Sequence, residues 1–125
     1  MKNNQSAEDY LEAILIIRER SGNARSIDVA NELNVSKPSV SVAMKKLKER
    51  GLILIDANGL ITFSEEGKKI AEKVYGKHKL LTNCLIEIGV DPKTAADEAC
   101  LIEHDISDKT YECINRYYKK LQKNK

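Results

Sequence analysis

The stretch "SIDVANELNVSKPSVSVAMKKLKERG", residues 26–51, holds two short apolar patterns with a brief polar break between them. Ile27, Ala30 and Leu33 recur at helical spacing in the first, and Val40, Ala43, Met44 and Leu47 in the second. Between the two, "NVS" places Val35 where it can plug the gap between a pair of helices. Ser36 stands as an N-cap, Pro38 falls in the first turn where its missing N–H costs nothing, and Gly51 supplies a stop after Arg50. Both ends of the second helix are therefore marked.

Downstream the period changes. "LILID" and "LITF" are β-rich runs separated by "ANG", which puts Asn58-Gly59 at the turn of a hairpin. Upstream, Ala7, Tyr10, Leu11, Ile14, Leu15 and Ile17 predict a first helix, with Ser6 as its N-cap and an end near "SGN". Helix, helix pair and hairpin together outline a winged helix-turn-helix.

After Ser64 a long helical pattern through Ile70, Ala71, Val74, Leu80, Leu81, Leu85 and Ile88 runs on to "IGVDP", with Gly76 expected to interrupt it. A helix of that length would carry the chain out of the winged unit into a second lobe. Asp91 and Pro92 open another helix through "AADEACLIEH", and Ser107 caps a last one reaching the lysine-rich tail. The expected fold is mainly α with a small β-hairpin wing. A winged helix-turn-helix over residues 1–70 is followed by an all-helical domain over 71–125.

At 125 residues the chain suffices for one substantial domain or two small lobes, and with 42% hydrophobic and 32% charged residues it reads as globular and soluble. A net charge of +2 is too small for a strong global attraction to nucleic acid, so any such signal must be local. It is local: Lys37, Lys45, Lys46, Lys48 and Arg50 face only Glu49. The hydroxyls of Ser36, Ser39 and Ser41 lie at the same helix start, where backbone N–H groups and the helix dipole favour a phosphate. The expected DNA-contact set is Arg25, then Ser36, Lys37, Pro38, Ser39, Ser41, Val42, Lys45 and Lys46 on the second short helix, and Asn58 on the hairpin. The plain alternative is a solvated basic helix face.

The polar N-terminus lacks the apolar segment and cleavage site of a secretory signal, and no apolar run is long enough to cross a membrane. A cytoplasmic location is expected by default, with Cys84, Cys100 and Cys113 as thiols or ligands rather than a disulfide framework.

The stretch "DEACLIEHDIS" sets Cys100, Glu103 and His104 at i, i+3 and i+4, so on a continuous helix they would project from one face. Asp9 and Glu12 are three residues apart on the first helix, and His78 sits on the long one. If all six converge they form an oxygen-rich site with imidazole and one thiolate, suited to manganese or iron, with zinc and cobalt competing in vitro. The ordinary alternatives are first-turn acids at a positive helix end, a small buried cysteine and an exposed histidine. No Gly-rich phosphate loop, nucleophile elbow or HExxH helix is present, so neither an enzyme nor an organic cofactor is expected.

"SAEDYLEAI", "DVANELNVSKPSVSVAMKKLKERGLI", "GKKIAEKVYGKHKLL", "IGVD" and "DEACLIEHDIS" together resemble, in order and spacing, the metal-dependent repressors of the diphtheria toxin repressor and manganese transport regulator type. The resemblance runs from Ser6 to about Tyr118. It implies that Asp9, Cys100, Glu103 and His104 form one metal site, and that Glu12, His78 and Glu103 surround a neighbouring second ion. Cys100 is similar to the cysteine of the iron branch, whereas the Asp9 and Glu12 pair looks like the manganese branch. Thr82 and Ala96 stand where an ancillary site of the iron branch would use a carboxylate and a histidine. The two-domain form, without an SH3-like third domain, is closer to the manganese regulators.

The implied function is a homodimeric repressor, activated by Mn2+ or Fe2+, that binds double-stranded operator DNA and controls metal-homeostasis genes. The runner-up is a metal-independent winged-helix regulator using the same DNA surface.

Overall fold

The computed structural model describes residues 6–125. Its elements in order are α1 (Ala7–Ser21), α2 (Ser26–Leu33), α3 (Lys37–Glu49), β1 (Ile53–Ile55), β2 (Ile61–Phe63), α4 (Glu65–Glu87), α5 (Pro92–Ile102) and α6 (Asp108–Lys123). The chain divides into two compact units, one ending at Tyr75 and one running from Gly76 to Lys125. Helix α4 contributes to both. No helix among the described residues is long and apolar enough to cross a membrane.

In the first unit, α1 begins with a capping box: Asp9 N donates to Ser6 Oγ, and the Asp9 carboxylate accepts from Ser6 N, each at 3.1 Å. Gly22 ends the helix in the left-handed region, φ 88°, a conformation that suits glycine. Ser36 caps α3 by accepting from Ser39 N at 3.2 Å, with proline in the first turn, as the sequence predicts. The wing is a two-stranded antiparallel hairpin pairing Ile53 with Phe63, Leu54 with Thr62 and Ile55 with Ile61. At its turn the Asp56 carboxylate accepts from Asn58 N and Leu60 N, and Gly59 takes φ 81°.

These elements close over one apolar cluster. Leu11, Ile14 and Ile17 of α1 meet Val29 of α2, Val40 and Leu47 of α3, and Ile53 and Ile61 of the wing, with Val35 packed against them from the α2–α3 break. Each large side chain so buried contributes roughly 1.5–3 kcal/mol. The wing is tied on by backbone as well: Ile61 N donates to Ala24 O at 2.8 Å and Ser64 N to Leu52 O at 3.1 Å. Gly67, in the first turn of α4, lies so close to Leu52 that a Cβ there would collide with the Leu52 carbonyl.

The second unit departs from expectation in two places. Gly76 does not interrupt α4, which runs unbroken from Glu65 to Glu87. The glycine keeps helical geometry, and Tyr111 Oη fills the space beside it, 3.4 Å from where a Cβ would stand. Second, α5 stops at Ile102, so the helix expected through His104 ends earlier. Glu103 is its C-cap with helical dihedrals, φ −59° and ψ −25°, and His104 lies in the turn that leads to the Ser107 cap of α6. Asp105 N donates to Ile102 O at 2.9 Å, closing a tight turn between α5 and the Ser107 cap.

Candidate metal centre and nucleic-acid interface

Buried carboxylates are costly unless paired or ligated. Three carboxylate residues are nonetheless almost fully buried: Asp9, Glu12 and Glu103, at 5%, 6% and 3% exposure. Glu103 is the centre of a cluster in the second unit. Its Oε1 lies 3.0 Å from His78 Nδ1, and one ligand atom each from His78, Cys100 and Glu103 falls within 4.8 Å of the others. His104 Nε2 stands 3.7 Å from the second carboxylate oxygen, Oε2, which is buried and accepts no hydrogen bond from any described residue. Because Glu103 keeps helical geometry at the C-cap, the i, i+3 relation to Cys100 survives although α5 has ended.

An imidazole, a thiol and a buried carboxylate within one ion's reach fit a divalent transition metal. Within that set the carboxylate favours manganese, whereas the imidazole and the thiol favour iron, cobalt and zinc. His78 is held by α4, where the Thr82 hydroxyl donates to the His78 carbonyl at 2.7 Å, a contact legible only as an i, i+4 threonine. Lys77, its neighbour, pairs with Asp108 at 3.3 Å and lies over the Tyr111 ring, fastening α6 to α4 beside the cluster.

Asp9 and Glu12 stand on α1 in the first unit. One carboxylate oxygen of Asp9 serves the capping box, so the ordinary first-turn reading holds for part of this residue. Its near-complete burial goes beyond that reading, since capping acids usually face water. Burial, and then the Asp9 carboxylate, pushes the Tyr10 hydroxyl up, and burial together with Glu19 and Glu12 does the same to Tyr75.

In the first unit α3 buries Val40, Met44 and Leu47 and turns Lys37, Pro38, Ser39, Ser41, Val42, Lys45 and Lys46 to solvent. The Ser36 hydroxyl also donates to Ser39 Oγ at 2.9 Å, which fixes both hydroxyls at the helix start. Arg25 and Asn58, predicted from distant parts of the sequence, are brought together: Arg25 Nε donates to the Asn58 carbonyl at 3.4 Å. That bond ties the start of α2 to the wing turn. Lys48 and Arg50 are exposed at the far end of the same helix.

Comparison with known proteins bears on both units. The model of the iron-dependent repressor N-terminal DNA-binding domain matches residues 4–58, and that of the iron-dependent repressor metal-binding and dimerisation domain matches residues 64–125. An uncharacterised helix-turn-helix-type transcriptional regulator of Methanocaldococcus jannaschii is 36% identical over 121 residues, covering 95% of this chain and 97% of that protein. The transcriptional regulator MntR of Escherichia coli is 33% identical over 114 residues, covering 90% of this chain and 73% of its own.

Among solved structures, the manganese regulator SloR superposes with a TM-score of 0.80 at 28% identity over 93% of this chain. A manganese-dependent transcriptional repressor in complex with manganese does so with a TM-score of 0.80 at 30% identity over 90%. The chain spans 54% and 52% of the lengths of those two structures. With a metal-binding domain matched over the second unit, the metal-independent alternative is not favoured. The chain belongs to the iron-dependent repressor family and carries both that family's DNA-binding domain and its metal-binding and dimerisation domain.

Proposed function

We propose that this protein is a metal-activated transcriptional repressor that binds operator DNA as a homodimer in the cytoplasm and controls genes of metal-ion homeostasis. It is not an enzyme on this reading. One observation carries the proposal: a buried Glu103 within ligand distance of His78 and Cys100, in a chain whose other unit is a winged helix-turn-helix. The proposed donors are His78, Cys100, Glu103 and His104 together with the two buried acids of α1, Asp9 and Glu12.

A divalent cation, when bound, supplies the positive charge that neutralises these carboxylates. The residues themselves do the rest. Glu103 Oε1 and His78 Nδ1 stand 3.0 Å apart, so the carboxylate holds the imidazole beside it, where both can offer donor atoms to one ion. Thr82 anchors the backbone at His78, and the Lys77 contacts hold α6 against the same turn of α4. On the DNA side, α3 supplies small groups for base edges and lysines for phosphates.

The active dimer presents two copies of α3 to major-groove faces about 34 Å apart or a multiple of it. Dimerisation falls to the helices after Asp91 with part of α4. There an open groove of about 380 Å³ is lined by Cys84, Ile88, Ile114, Tyr117, Tyr118 and Leu121 with Glu87. By linkage, operator DNA tightens metal binding by the same factor as metal tightens DNA binding, typically 5- to 150-fold.

The test is a duplex-binding titration of chelated protein against Mn2+, Fe2+, Co2+ and Zn2+, with bound metal counted in parallel. Affinity rising with metal occupancy is the expected result. Metal binding that leaves DNA affinity unmoved would contradict the proposal, and the count decides between one ion and two.

A further inference from the structure

The middle of α3 carries an apolar side chain where solubility alone would place a polar one. Val42 is 55% exposed, whereas Val40 and Met44, two residues to either side, are 1% and 2% exposed. Two residues correspond to about 200° around a helix, so Val42 projects directly away from the face that holds α3 to the core. Pro38, one turn earlier, lies on the same outward stripe.

Around this apolar tip the helix is cationic: Lys37, Lys45, Lys46 and Lys48 are all exposed, and Glu49 is its only acid. Positive charge at the rim with a methyl-bearing tip fits a polyanion that displays apolar groups in a groove. Duplex DNA does so through the C5 methyl of thymine in the major groove. Moreover, α3, "KPSVSVAMKKLKE", contains no Asn or Gln, so the amide groups that pair bidentately with adenine are absent from it, and lysine is its one side chain able to reach the guanine acceptors.

We propose that Val42 is a specificity-determining residue that reads thymine, seating its isopropyl group against a thymine methyl in each half-site while the lysines hold the flanking phosphates. This rests on the DNA-binding function proposed above. The operator class it names is one with a thymine at a fixed place in each half-site, recognised by shape and methyl contact rather than by a bidentate hydrogen bond.

The test begins by selecting duplexes from a random library with the full chain and Mn2+, then replacing each thymine of the selected site in turn by deoxyuridine, which lacks only the methyl. One thymine per half-site should be sensitive. Its replacement should weaken wild-type binding roughly fourfold, the effect of losing one buried methyl-sized contact. In Val42→Ala, which keeps one carbon of the side chain, that same replacement should have a clearly smaller effect, and the thermal unfolding midpoint should not fall, because the side chain is exposed and alanine suits a helix. Selected sites with no methyl-sensitive thymine, or a methyl effect undiminished in Val42→Ala, would overturn the inference while leaving the repressor function standing. Failure of the wild type to enrich any duplex with metal present would overturn both.

Discussion

In the unit ending at Tyr75, helices α1 to α3, the wing and the start of α4 bury large aliphatic side chains against one another, and Ile14 and Val29 have no exposed surface at all. In the unit beginning at Gly76 the buried apolar residues are Leu80, Leu81, Ala95 and Ala99, two of them alanines, and they share that interior with the carboxylate of Glu103. Helix α6, whose apolar residues recur at helical spacing through Tyr111, Ile114, Tyr118 and Leu121, buries none of them fully. The first unit is thus specified by its own hydrophobic core. The second keeps the apolar residues of α6 partly exposed and a carboxylate in its interior, so on the function proposed above its stability should rise with what binds it.

This contrast predicts the largest effect at Gly67. Alanine there places a Cβ into the Leu52 carbonyl, a backbone atom that cannot swing aside, at the joint between the wing and α4. The loss should reach or exceed the upper end of the roughly 1–3 kcal/mol that overpacking costs. Urea denaturation measures it, and a Gly67→Ala midpoint equal to wild type would mean the first unit is less tightly built than described.

A smaller effect, confined to association, is expected from Ile114→Glu, which sets a charge in the groove of the second unit. Dimerisation should weaken by ~2 kcal/mol or more, roughly 30-fold, as for truncation of an interface anchor. Sedimentation equilibrium reads this directly, and far-ultraviolet dichroism should show the helices retained. A dimer of undiminished affinity would move the interface elsewhere.

The smallest effect concerns pH. Asp91 caps α5, accepting from Thr94 N at 3.0 Å, and that hydrogen bond holds its carboxyl below the usual carboxylate range. A carboxylate whose native value is lowered adds stability that is fully present above its unfolded value, about 3.9, and fades as pH falls through the native value. Asp91→Asn, which keeps a cap without the charge, should therefore flatten the stability profile between about pH 5 and pH 2 relative to wild type. Identical acid profiles for the two proteins would assign that dependence to other groups.

The first unit was legible because each boundary has a local chemical marker. Ser6 and Ser36 cap, Pro38 starts, Gly22 stops, and the turn at Asn58-Gly59 needs the positive φ that Gly59 adopts. The end of α5 had no such marker. No glycine or proline follows Ile102, and the helix stops because the chain must turn into α6, which is a tertiary demand. Gly76 misled in the opposite sense: a glycine usually weakens a helix, but here Tyr111 packs against its bare Cα and the helix continues.

In the candidate site, the sequence set Cys100 and Glu103 together by their spacing and His78 on the long helix, and the structure brings these three within reach of one another. Burial of Asp9 and Glu12 was not readable, because "SAEDYLE" looks the same whether its acids face water at a helix start or lie beneath other residues.

On the function proposed above, Glu103 is a charged ligand that links metal to DNA. Glu103→Gln retains the size and one carbonyl oxygen of the side chain and removes the charge. The decisive measurement is duplex affinity of chelated wild type and Glu103→Gln before and after saturation with Mn2+, with folding checked by thermal unfolding. Wild type should gain at least roughly tenfold within the usual coupling range, and Glu103→Gln should gain nothing while remaining folded. An equal gain in both proteins, or a wild type that binds equally well without metal, would contradict it.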